Sequence, residues 1–200
     1  MSDATNAVRV PNLLVDALGL PARDSMVWRL VTIIAASLLL TLSAKIEVPF
    51  YPVPLSLETF AVLALGFVLG SRLAGSAVLL YLIEGAAGLP VFAGTPEKGI
   101  GLAYLMGPTG GYLVGFLVAA FLCGLLAERG WGKSIVSTLS GMVIGNIVIY
   151  ALGLFWLGTL LGWDKPILNW GLYPFLLGDA LKIALATALL PAAWKFAARR

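Results

Sequence analysis

Pro174-Phe-Leu-Leu-Gly-Asp179-Ala-Leu-Lys182-Ile-Ala-Leu-Ala-Thr-Ala-Leu-Leu190 is an apolar stretch long enough to cross a bilayer, yet it carries an acid and a base. A charge at membrane depth costs roughly 2.5–3.5 kcal/mol even on lenient insertion scales. Side chains that expensive face a cavity or a partner, so the segment reads as part of a polar ligand or ion site. The i, i+3 spacing puts Asp179 and Lys182 on one side of a helix.

Composition extends this reading to the whole chain. Of 200 residues, 60% are hydrophobic and 12% charged, with a mean hydropathy of +0.97. Soluble domains carry about 25% charged residues, so this is an integral membrane protein. The net charge of +3 comes from basic residues scattered at segment ends, which gives no nucleic-acid surface. No histidine is present, which removes His metal sites, His general bases and Ser–His proteolysis. Cys123 lies in an apolar run and reads as a core thiol.

Spans of about 17–25 apolar residues are expected at 27–45, 57–71, 73–92, 111–127, 134–162 and 173–195, giving an all-α bundle of six transmembrane helices in one domain, 27–200. Residues 1–26 lack the basic start and long apolar core of a signal peptide. Leu13, Leu14, Ala17 and Leu18 recur at helical spacing there, which fits a short interfacial helix or a cytoplasmic tail.

Basic residues set the orientation. With the N-terminus inside, Arg9, Arg23, Arg29, Arg72, Arg129, Lys133, Lys195, Arg199 and Arg200 are cytoplasmic, against Lys45, Lys98 and Lys165 outside. Both termini are then cytoplasmic, and Asp179 sits about six residues, or ~9 Å, below the outer surface. Glu58, Glu84 and Lys45 fall in the outer half as well. A pocket built from them opens outward.

Two outer segments exceed plain connectors. Lys45-Ile-Glu-Val-Pro-Phe-Tyr51-Pro-Val-Pro54 is stiffened by alternating prolines. Residues 88–112 form a loop of the length common in lids and binding loops. Its end, Gly107-Pro-Thr109-Gly110-Gly111, begins a helix with Thr109 as N-cap. Free N–H groups there suit an anion, and the glycines permit close approach of a ligand or simply make a turn. Tyr51, Phe92, Tyr104, Trp163, Trp170 and Tyr173 gather at the same side, as an interfacial belt or as ligand contacts.

Three motif fragments fail. Residues 128–134 resemble a phosphate-binding loop, but Ala127 stands where a glycine is needed and a membrane helix precedes it. Gly99-Ile-Gly101 is no dinucleotide fingerprint, because Tyr104 takes the third glycine's place. Gly178-Asp179 lacks the upstream glycine and the second aspartate of intramembrane proteases. An enzyme is therefore not expected, nor any cofactor or ATPase.

Five blocks together are similar to the BioY family, the biotin-binding S components of energy-coupling factor (ECF) transporters. They are Val48-Pro-Phe-Tyr-Pro-Val-Pro-Leu-Ser-Leu-Glu-Thr59, Gly70-Ser-Arg-Leu73, Tyr81-Leu-Ile-Glu-Gly-Ala-Ala-Gly-Leu-Pro-Val-Phe-Ala-Gly94, Gly107-Pro-Thr-Gly-Gly-Tyr112 and Gly178-Asp-Ala-Leu-Lys182. The resemblance covers about residues 27–196. It implies a six-helix S-component fold in a bacterial inner membrane and high-affinity uptake of biotin. It also implies partners, namely a transmembrane coupling subunit and two cytoplasmic ATPases. By position it makes Asp179 and Lys182 binding residues and puts Lys98 in the ligand loop. Tyr51, Phe92, Thr109, Gly110 and Gly111 complete the expected substrate site. Glu58 departs from the pattern, which leads one to expect glutamine, and Glu84 stands where an apolar residue is expected. A small-residue docking seam on the first helix would be Ala36, Ser37 and Thr41.

The chemistry is compatible. Biotin's ureido group offers two N–H donors and one carbonyl, and an ionised aspartate accepts such donors. Its carboxylate needs a cation, Lys98 or Lys182, or a helix start. Lys182 either meets that carboxylate or holds Asp179 ionised. The competing reading is an ion-coupled secondary transporter of another small anionic vitamin, with Asp179, Glu58 or Glu84 relaying ions.

Overall fold

The structure, a computed structural model, describes residues 13–20 and 25–197. In chain order these form α1 (Leu14–Ala17), α2 (Met26–Lys45), β1 (Glu47–Val48), β2 (Leu55–Ser56), α3 (Glu58–Leu69), α4 (Ser71–Ala86), α5 (Gly101–Leu105), α6 (Gly110–Glu128), α7 (Ile135–Leu161), α8 (Ile167–Gly171) and α9 (Tyr173–Ala197). Helices α2, α3, α4, α6, α7 and α9 fall on the six stretches expected from hydropathy, but they are not all long enough to span. By length and composition, four segments reach across a bilayer: α2, α6, α7 and the run 167–197. With 12 and 16 residues, α3 and α4 are shorter than the expected spans. The first segment loses length to the proline-rich loop before it. The second was expected to run to residue 92 but stops at Ala86, where the chain turns through Gly88 at φ +96° and then meets Pro90.

In lipid there is little hydrophobic force between helices, so close van der Waals contact and interhelical hydrogen bonds hold a bundle together. Helix α6 runs through the middle, packed on α3, α4 and α7. Small residues permit the approach. A Cβ at Gly124 would lie 2.2 Å from the Ser71 backbone nitrogen, and one at Gly115 would lie 2.9 Å from Ile149 Cα. Cys123 is fully buried in this seam, as a core thiol should be. Ser25 and Ser134 accept from backbone N–H groups at the starts of α2 and α7. The fragment that resembled a phosphate loop is a helix connector. Its Ser134 is that cap, and Lys133 Nζ lies 4.7 Å from the centre of the Trp194 ring.

The two ends of the bundle differ. One, here the base, holds the α3–α4 turn, where Glu128 Oε1 accepts from Ser71 N (2.9 Å) and Ser71 Oγ (2.8 Å). Residues Leu13, Leu14 and Val15 of the N-terminal segment are buried against this end, with α1 touching α3 and α9. The rest of 1–26 is described only at 13–20 and 25–26, so Arg9 and Arg23, like Arg199 and Arg200, lie outside the described residues. The other end carries the loops. The stiff first loop contains a hairpin, with Glu47 opposite Ser56 and Val48 opposite Leu55. Lys45 Nζ donates to Phe92 O (2.9 Å), Thr95 O (3.0 Å) and Thr95 Oγ1 (2.9 Å), tying α2 to the second loop.

Candidate functional site

Asp179 and Lys182 form an ion pair on one face of α9, Nζ to Oδ1 2.9 Å, as the spacing requires. Asp179 is 3% exposed. Its Oδ1 also accepts from Thr59 Oγ1 (3.2 Å), and its Oδ2 accepts from Asn146 Nδ2 (3.2 Å) and the Tyr150 hydroxyl. A carboxylate offers about four acceptor positions, and four donors reach Asp179. Lys182 is equally committed. Its other two donors find Ser56 O (2.7 Å) and Thr59 Oγ1 (2.9 Å). Thr59 thus accepts a hydrogen bond from the lysine and donates one to the aspartate. The network clamps α3, α7, α9 and the hairpin at one point. At membrane depth each of these polar groups needs such a partner.

A second carboxylate stands beside this network. Glu58 opens α3 and is buried. Tyr81 Oη donates to its Oε1 (2.6 Å) and Ser56 Oγ to its Oε2 (2.9 Å). Glu58 and Lys182 both line a small cavity beside this network. Phe116 and Ile149 supply apolar wall, Tyr150 and Phe175 line it from α7 and α9, and Val53 and Pro54 of the hairpin loop cover it. Tyr104 and Thr109 line this cavity and also an outer cleft with Tyr51 and Lys98. Burial lifts the Tyr104 phenol well above its ordinary range. It therefore stays a donor, bonded to Ala93 O at 2.6 Å.

The expected site residues fall into three groups. Lys182 and Thr109 line the cavity, whereas Asp179 stands behind Lys182 and borders a smaller hollow with Thr59 and Asn146. Thr109 does hold the N-cap position of α6 but makes no side-chain cap bond. Tyr51, 80% exposed, and Lys98, which donates to Phe50 O at 3.0 Å, sit at the outer cleft. Phe92, Gly110 and Gly111 do not line the cavity. Phe92 is 1% exposed, edge-on to Tyr81 and stacked on Tyr104 at 5.0 Å. The two glycines serve helix contact. A Cβ on Gly110 would lie 1.9 Å from Leu105 O, and one on Gly111 would lie 2.3 Å from Trp156 Cβ.

Asn146, Tyr150, Thr59 and Ser56 were not singled out from sequence. Asn146 and Tyr150 had a usable signal: two polar groups at i, i+4 in the apolar middle of α7 share one face. Glu84 is held apart from the cavity, accepting from Ser37 Oγ across the α2–α4 contact. Among the described residues no three His, Cys, Asp or Glu side chains group as a metal set.

A helical membrane bundle with a mainly apolar cavity that carries Glu58 and Lys182 in its wall defines a solute-binding membrane protein. The BioY family model matches residues 13–199, and the chain belongs to the BioY family. Over 160 residues it is 39% identical to a probable biotin transporter BioY of Pyrococcus horikoshii, covering 80% of this chain and 92% of that one. Over 151 residues it is 40% identical to the biotin transporter BioY of Thermotoga maritima, covering 76% and 86%. Its fold is that of a solved S-component for biotin from an ECF-type ABC transporter, with a TM-score of 0.71 and 24% identity over 86% of this chain and 94% of that one.

Proposed function

We propose that this chain is the biotin-binding membrane subunit of a vitamin uptake system. The observation that carries this reading is a charged, hydrogen-bonded network at the wall of a cavity, in a chain whose relatives bear the name of biotin transporters. All of α2, α3, α4, α6, α7 and α9 cross a bacterial inner membrane as one unit, 27–200. The termini are cytoplasmic, and the loop end faces out to capture the vitamin. Lys182 and Thr109 meet the ligand in the cavity, Lys182 exchanging one of its three protein acceptors for the ligand while Asp179 holds it. Lys98 and Tyr51 act at the mouth, while Phe92, Gly110 and Gly111 shape the walls. An ECF coupling subunit and two ATPases supply the energy for release inward.

Of the cavity, about 40 Å³ admits the centre of a water molecule, room for about three waters. Biotin is larger, so the hairpin loop and the second loop part to admit it. The test is titration calorimetry of the detergent-purified chain with biotin, together with mass spectrometry of whatever small molecule co-purifies. Saturable one-site binding of biotin is expected. A different co-purified vitamin, with biotin giving no heat, refutes the proposal.

A further inference from the structure

Asn146 is buried on α7, and its amide can point only one way. Nδ2 donates to Asp179 Oδ2 at 3.2 Å. An ionised carboxylate has no donor to return, so turning the amide over would set oxygen against oxygen. Oδ1 is left buried, and no donor among the described residues reaches it. A buried carbonyl without a donor is rare in folded proteins, and lipid supplies none. Asn146 lines the smaller hollow with Thr59, Asp179 and Lys182, and its other walls are Phe60, Leu63, Met142 and Ile183. Leu63, Met142 and Ile183 each lie four residues, about one turn, toward the base from Thr59, Asn146 and Asp179. The hollow therefore extends from the ion pair toward the base of the bundle.

Size and charge select its occupant. About 10 Å³ of the hollow admits the centre of a water molecule, which is room for about one water. The ions that border it are one of each sign, Lys182 and Asp179, held 2.9 Å apart, so no net charge calls for a counter-ion. A cation would also lie beside an ammonium group, with Asp179 already taking four donors. Oδ1 needs a neutral donor, and Thr59, Asp179 and Lys182 supply the further polar partners that a buried water requires. We infer that this hollow is a binding site for a single water molecule that donates to Asn146 Oδ1. The water fixes the amide so that Asn146 keeps its donor on Asp179. It also fills the one-molecule space beneath the ion pair with a neutral group and leaves no seat there for a coupling ion. The site stands whether or not the protein's ligand is biotin.

The test is pulsed X-ray radiolysis of the full-length chain in lipid nanodiscs, read by mass spectrometry. Radiolysis turns bulk and bound water alike into hydroxyl radicals, which oxidise the nearest sulfur. Met142 lines the hollow, whereas Cys123 lies in the packed seam of α6, and both are buried. Exposed Met106 reports bulk labelling. Met142 should gain oxygen well above Cys123 in the wild type and lose that labelling in Asn146→Leu. Equal inertness of Met142 and Cys123 in the wild type overturns the site, and so does Met142 labelling that survives Asn146→Leu. If Asn146→Leu does not fold, the wild-type comparison of the two sulfurs decides alone. Met142 labelling that falls when sodium chloride replaces choline chloride places a cation in the hollow and overturns the assignment to water.

Discussion

Asp179→Asn tests the network most directly. The substitution is nearly isosteric, but it takes the counter-charge from Lys182, which is 18% exposed at its side chain. The lysine retains Ser56 O and Thr59 Oγ1 as neutral acceptors. The new amide also turns a donor toward groups that are themselves donors at Asp179: Asn146 Nδ2 and the Tyr150 hydroxyl. Breaking a buried pair from one side costs about 3–5 kcal/mol. Against a typical total stability of about 5–15 kcal/mol, the variant should still fold. At about 2–4 °C per kcal/mol for a chain of this size, its melting temperature should drop by on the order of 6–20 °C. The assay is thermal unfolding in detergent, run as a double-mutant cycle. In Asp179→Asn/Lys182→Met the stranded charge is gone, so about half the loss or more should return, because neutral replacements of buried pairs are tolerated. Equal melting of wild type and Asp179→Asn, or a double variant no more stable than the single one, would refute the argument that the pair is buried and mutually dependent.

Tyr150→Phe removes one donor to a charged acceptor and should cost about 1.5–3 kcal/mol in the same melts, with weaker biotin binding by calorimetry. Gly124→Ala places a methyl 2.2 Å from the Ser71 nitrogen. It should destabilise by about 1–3 kcal/mol or more, read as a lower monodisperse yield in size-exclusion chromatography. Lys98→Ala releases the tether to Phe50 O. It should leave melting unchanged and speed biotin dissociation several-fold in stopped flow. Cys123, fully buried, should resist maleimide until the protein is denatured.

The Asp179–Lys182 pair was legible because charge inside an apolar run is costly and spacing fixes its face. The four long apolar segments were legible for the complementary reason: such runs leave the backbone no alternative to a helix in lipid. Phe92, Gly110 and Gly111 were not legible as wall and seam residues. An aromatic or a glycine beside a binding loop looks the same whether it faces a ligand or a neighbouring helix, and only the approach of Tyr104 or Trp156 decides. Tyr51 and Lys98 line one cleft together and do not reach the inner cavity, which their place in two separate loops does not reveal. The part played by Ser56 was invisible, because its carbonyl matters as much as its hydroxyl and no side-chain pattern records a carbonyl.

That serine gives the hairpin a particular leverage. Its hydroxyl rests on Glu58 and its carbonyl on Lys182, so one short strand touches both charged walls at once. The hairpin loop cannot swing open without disturbing the electrostatics of the chamber beneath it, nor can an occupant rearrange those charges without registering in the loop. Entry and grip are thus two readings of a single equilibrium, and whatever free energy an occupant contributes to one is returned in the other.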